Sequence, residues 1–160
     1  MKILLVMPKS LAKVSGYNVF PIGFAYVSAS LKAAGHDVVT ANLEYCEEDA
    51  LPALRRLLEG HGFQALGISG LSRDYHKLKQ VIDAVRQIDP DLPIVVGGGI
   101  MTADPETALA ALGADLGVVG EGEVTVCELV AALETGQPLE GIPGLAILEE
   151  GRVTVTEARK

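Results

Sequence analysis

Five times between residues 3 and 134, a short apolar run gives way to a segment with helical spacing. The runs are residues 3–7, 37–43, 63–69, 94–96 and 116–119. They are near-continuous in Val, Ile, Leu and Ala, as strands buried on both faces are. The helical segments are residues 21–34, 48–60, 73–88, 104–112 and 123–134. Their ends carry ordinary stop and start signals. Pro21 opens the first helix and Gly35 follows its end, Pro52 must sit in a first turn, and Asp104-Pro105 reads as an N-cap followed by the first helical residue. This alternation leaves few architectures. It predicts an open five-stranded parallel sheet with helices on both faces, in the order 2-1-3-4-5. Residues 145–148, the turn EEGR and residues 153–155 then read as a small C-terminal β-hairpin. The charged end, TEARK, reads as the start of a linker, so we divide the chain into an α/β domain over 1–141 and a hairpin with linker over 142–160.

Composition narrows the function. The chain has 160 residues, enough for one domain, and 49% apolar residues against 21% charged ones supply an ordinary core. A net charge of −8 with no Lys/Arg cluster argues against a nucleic-acid surface. No apolar run reaches the roughly 18 residues of a membrane span. Cys46 and Cys127 stand alone, which fits a reducing cytoplasm and supplies no metal-type cysteine spacing.

In an open parallel sheet, ligands bind beyond the carboxyl ends of the strands, where strand order reverses. The turns predicted there are Ser69-Gly70-Leu71-Ser72, Gly97-Gly98-Gly99 and Gly120-Glu121-Gly122, beside a long first loop over 8–18. Small residues let a backbone approach a ligand closely. The first turn lacks the GxGxxG of a dinucleotide fold. Ser69 stands where a receiver domain needs Asp, and the stretch 67–71 ends on Leu where a hydrolase elbow needs Gly. The stretch 94–122 is similar to the phosphate-gripping strands of (β/α)8 barrels, but five βα units cannot close such a barrel.

At residues 21–38, GISGLS (67–72), IVVGGG (94–99), GVVGEGEVT (117–125) and IPGLAILEEGRV (142–153), the chain resembles the cobalamin-binding domain at the N-terminus of cobalamin-dependent radical S-adenosylmethionine (SAM) enzymes. The resemblance implies a flavodoxin-like, Rossmann-like fold in which Ser-x-Leu ends the third strand and Gly-Gly ends the fourth. Ser69-Gly70-Leu71 and Gly97-Gly98 match. The nucleotide tail of cobalamin would enter between these loops, with the Ser69 hydroxyl offered to its base and Gly97 and Gly98 leaving room. On this reading Gly98→Val blocks the tail and leaves the fold intact. The cofactor-binding set is then Ser69, Gly70, Leu71, Ser72, Gly97, Gly98, Gly99, Gly120, Glu121 and Gly122, with Glu121 reaching corrin amides or a following domain.

Many cobalamin proteins carry Asp-x-His-x-x-Gly after the first strand, with that His on cobalt. Residues 8–20 hold neither Asp nor His. The radical SAM branch lacks the motif as well, which implies base-off cobalamin with no protein His on cobalt. Asp74-Tyr75-His76 has the Asp-x-His spacing, but after the wrong strand and with Lys79 where Gly belongs, so His76 is expected not to ligate. The [4Fe-4S] cluster and S-adenosylmethionine would belong to a missing catalytic domain, since the cluster needs three neighbouring cysteines. The chain alone is then a non-catalytic piece of a methyltransferase-type enzyme. Two other readings stand beside it. One is a degenerate interaction or sensor module with an empty pocket. The other is a phosphate- or nucleotide-binding enzyme domain using 97–104 and 120–123.

Overall fold

The computed structural model describes residues 1–9 and 21–159. The long first loop, with the expected absence of an axial motif in 8–20, lies almost wholly outside the described residues. Among the described residues, seven strands form one sheet: β1 (Lys2–Met7), β2 (Asp37–Asn42), β3 (Ala65–Ser69), β4 (Ile94–Gly97), β5 (Leu116–Val118), β6 (Leu145–Glu149) and β7 (Arg152–Val155). The α-helices described with them are α1 (Ile22–Ala33), α2 (Ala50–Leu58), α3 (Tyr75–Ile88), α4 (Gly99–Ala103), α5 (Pro105–Leu112) and α6 (Glu123–Thr135). The sheet order is β2-β1-β3-β4-β5-β6-β7. The first five strands are parallel, in the expected order.

The sheet is therefore mixed, and it has seven strands rather than five. The expected hairpin exists, but it is not set apart from the sheet: β6 pairs antiparallel with β5, and β7 with β6. Burial explains the docking. Leu145, Ala146 and Ile147 are buried, and α5 packs against both hairpin strands. The pairing also covers the edge that β5 would otherwise expose. The helix α4 is a second departure. Its five residues follow two glycines and show no helical period in the sequence, so they read as a turn. Asp104 caps the next helix as expected, accepting the Thr107 amide at 3.2 Å, with Pro105 at the first helical position.

Chain order decides which helix covers which face. The step from β1 to β2 runs one way and the step from β2 to β3 the other. Right-handed crossovers then place α1 on one face and α2 and α3 on the opposite one. The packing follows this. α2 and α3 pack together, α3 meets α5, and the large core on their side takes Leu4, Val6, Leu66, Ile68, Ile94 and Val96. On the other face α1 packs against α6. No helix among the described residues is long and apolar enough to cross a membrane.

Candidate functional site

Side chains alternate across a strand, so each strand offers one set to each face. The sets are unequal on β3. Leu66 and Ile68 face the α2/α3 core, whereas Ala65, Gly67 and Ser69 face α1 and α6. Two apolar clusters flank this column of small residues. On one side are Ile3, Leu5, Leu31, Val126 and Val130; on the other are Val95, Leu116, Val118 and Leu129. The column is too small to close the gap between them. A cavity of ≈ 330 Å³ remains under α1 and α6, lined by all three residues of the column.

The cavity is exposed at one end and buried at the other. Its outer end lies at the carboxyl edge of the sheet, where Gly99, Gly120 and Glu121 are exposed. Ile3, Leu31 and Ala65 at the inner end are no more than 2% exposed. Hydrogen bonds tie the three rim loops together. The Gly70 amide donates to Gly97 O at 3.3 Å, and the Ile100 amide donates to Gly70 O at 3.2 Å. The Gly120 amide donates to Thr102 Oγ1 at 3.2 Å, joining the loops after β4 and β5.

Of the residues expected at the site, Ser69, Gly97, Gly98, Gly99, Gly120, Glu121 and Gly122 line the cavity. Ser69 and Gly97 are direct cross-strand partners. Gly70, Leu71 and Ser72 do not line it. Gly70 instead carries two of the bonds that hold the rim, with Leu78 packed where a Cβ would stand. Leu71 is exposed, and Ser72 opens a 3₁₀ turn leading into α3. Gly97 and Gly98 also differ in kind. A Cβ at Gly97 meets nothing within 4 Å. Gly98 has φ 85° and ψ −170°, and a Cβ there stands 2.6 Å from Ser69 Oγ and 2.8 Å from Gly70 O. The expectation that Gly98→Val spares the fold is therefore corrected: the added side chain strikes backbone before it reaches any ligand.

Gly23, Phe24, Val27 and Leu31 of α1, Val126 and Val130 of α6, and Ala65 and Gly67 of β3 also line the cavity and escaped the sequence reading. Thr102 of α4 lines it too, and only the phosphate-binding reading includes it. Ala65-x-Gly67-x-Ser69 did carry a signal, a period-two run of small residues inside an apolar strand. Ser69 Oγ makes no hydrogen bond among the described residues and is left available to a ligand. The histidines are elsewhere. His36 and His61 precede β2 and β3, at the edge opposite the rim. His36 Nδ1 lies 3.2 Å from the N-terminal amine, and His61 Nδ1 is 2.9 Å from Glu59 O. His76 is exposed on α3, on the face opposite the cavity, with its ring edge-on to Tyr75. Ile22, Tyr26, Leu71 and Val124 are large apolar side chains exposed around the rim.

A profile of the B12 binding domain family matches residues 8–130. The chain belongs to the B12-binding domain family. An uncharacterized methyltransferase of Pyrococcus horikoshii is 32% identical to this B12-binding domain over 157 residues, 96% of the chain and 34% of that protein. The anaerobic magnesium-protoporphyrin IX monomethyl ester cyclase of a Synechocystis species is 28% identical over 169 residues, 98% of the chain and 32% of that protein. The chain thus spans about a third of the length of these curated relatives. The radical S-adenosylmethionine methyltransferase TsrM from Kitasatospora setae, solved with cobalamin and a [4Fe-4S] cluster bound, matches 99% of the chain with a TM-score of 0.86. That match is 22% identical and uses 29% of TsrM, and it shows a common fold.

Proposed function

We propose that this B12-binding domain holds cobalamin base-off, with the nucleotide tail in the cavity and no protein imidazole on cobalt. It would serve as the N-terminal domain of a radical SAM enzyme of the methyltransferase type. The observation that carries the reading is the small column Ala65-Gly67-Ser69 beside an unobstructed Gly97. The Leu5 side chain lies over Gly67, with Cδ2 2.6 Å from where a Cβ would stand, and the remaining space is a slot that a flat aromatic base can enter. Ser69 would supply a hydroxyl to the tail, while Thr102, which donates to Gly98 O and accepts from the Gly120 amide, would hold the rim. The Gly97–Gly99 and Gly120–Gly122 backbones would let it pass. Gly70, Leu71 and Ser72 would act indirectly, by holding the rim. The exposed apolar rim residues suit a covering by the corrin ring and a following domain. Cobalamin, when bound, supplies a cobalt centre able to accept and hand on a methyl group. The chain's own part is to bind it, to keep water from the tail and to leave the lower axial position without a protein ligand.

The parent activity rests on the names of the Pyrococcus protein and of TsrM, and on the share of each that the chain spans. Residues 142–160 would complete the sheet and then lead into the catalytic domain. The competing readings fit less well. Among the described residues the cavity lining holds no Lys or Arg to meet a phosphate, and an interaction module has no need of a buried slot of ≈ 330 Å³.

Titration with hydroxocobalamin, followed by the corrinoid absorption bands, tests binding directly; no spectral change at millimolar ligand would sink the proposal. Ser69→Ala should weaken binding several-fold only, because one hydrogen bond is worth about 0.5–1.5 kcal/mol. Axial ligation is read by electron paramagnetic resonance of the bound Co(II) form. An axial nitrogen splits each cobalt line into a triplet, and we expect unsplit lines in both wild type and His76→Ala. Triplets that vanish in His76→Ala would make His76 the ligand.

A further inference from the structure

Among the described residues, the cavity is polar only at its mouth. Its polar side chains are Ser69, Thr102, Glu121 and Glu123, and all stand at the carboxyl ends of strands or in the helical turns that follow. The inner end is walled by Ile3, Leu31, Ala65 and Val130, all buried. The main chain there is committed as well. β3 is paired on both sides, with β1 and with β4, and α1 and α6 bond internally. Among the described residues, nothing at the inner end is left to donate to a ligand or accept from one.

We infer that this inner wall selects the lower base of the corrinoid, taking cobamides that end in a benzimidazole and discriminating against those that end in a purine. The inference rests on the proposed seating of the tail in this cavity. The six-membered ring of a benzimidazole presents only carbon and hydrogen at its far edge, and methyl groups there add apolar surface to be buried. The six-membered ring of adenine carries an amino group and ring nitrogens. Each would give up water on entering and find no partner. An apolar pocket penalises such a polar near-isostere about tenfold to a hundredfold.

Val130 is the position to alter. It lies on α6, is 2% exposed and lines the inner end. Val130→Thr keeps the shape and adds one hydroxyl. In the free protein that hydroxyl bonds back to the carbonyl one turn earlier, as helical Thr does; with a purine tail in place it can turn to the base.

The test is absorption titration of the purified protein with three ligands: cobalamin, its adenine-tailed analogue, and cobinamide, which has no tail. Cobalamin should bind tightest, the adenine-tailed analogue about tenfold or more weaker, and Val130→Thr should narrow that ratio several-fold while thermal melts show it folded. Equal affinity for the two tailed ligands, with both well above cobinamide, would overturn the selectivity and leave the seating of the tail intact. A ratio unmoved by Val130→Thr would remove the inner wall as its source. Cobalamin binding no tighter than cobinamide would instead show that the tail is not in the cavity, which is a failure of the underlying proposal.

Discussion

Gly97→Val should abolish useful cobalamin binding while leaving the domain folded. Gly97 ends β4, faces the cavity opposite Ser69, and has open space where a Cβ would stand. Its φ is not in the left-handed region, so a side chain brings no backbone penalty. A β-branched residue suits a strand end, and replacing Gly narrows the unfolded ensemble, so stability should change by no more than about 1 kcal/mol. The branched side chain then occupies the slot. We expect affinity to fall about a hundredfold or more, equivalent to about 2.8 kcal/mol. Hydroxocobalamin titration alongside circular dichroism measures both halves. Wild-type affinity in a folded Gly97→Val protein would mean that the tail lies elsewhere.

Its neighbour should behave in the opposite way. Gly98→Ala should destabilise the whole domain by about 2–4 kcal/mol, the combined cost of a left-handed backbone and a forced contact. Both parts are visible: φ of 85°, and a Cβ 2.8 Å from Gly70 O, a backbone atom. Gly70 cannot retreat easily, because its amide and carbonyl are bonded to Gly97 and Ile100. Urea unfolding would show the loss as a lower midpoint with an unchanged slope. A shift below about 0.5 kcal/mol would show that the rim yields. The two glycines thus divide the work, Gly97 leaving room and Gly98 making the turn.

That division was not legible in the sequence, where the run Gly97-Gly98-Gly99 reads as one flexible turn. Nor was α4, whose single turn has too few residues to show a period. The five parallel strands were legible because βα alternation and crossover handedness leave few arrangements. The face taken by α1 follows from the same rule. The face taken by α6 does not, because α6 links β5 to an antiparallel neighbour, to which the handedness rule does not apply. Val126 and Val130 could therefore not be assigned to the cavity in advance. Ala65 and Gly67 could have been. Their alternation with Leu66 and Ile68 marks one face of β3 as thin, but a continuous apolar run hides the difference between its faces. Gly70, Leu71 and Ser72 drew attention through composition, yet their place is set by hydrogen bonds that composition does not encode.

The C-terminal hairpin has a consequence for chain direction. β5 runs toward the cavity mouth, β6 runs back, and β7 runs toward the mouth again. The chain then stays there: the Gly144 amide donates to Glu157 O at 2.8 Å, and Arg159 Nε donates to Thr125 Oγ1 at 2.7 Å on the first turn of α6. An even number of added antiparallel strands conserves parity, whereas a single one would leave the polypeptide at the far edge, a full strand length from the rim. The β6–β7 pair is therefore a reversing device, and anything joined after Arg159 sets out from the same edge as the cavity mouth without a linker to bring it round.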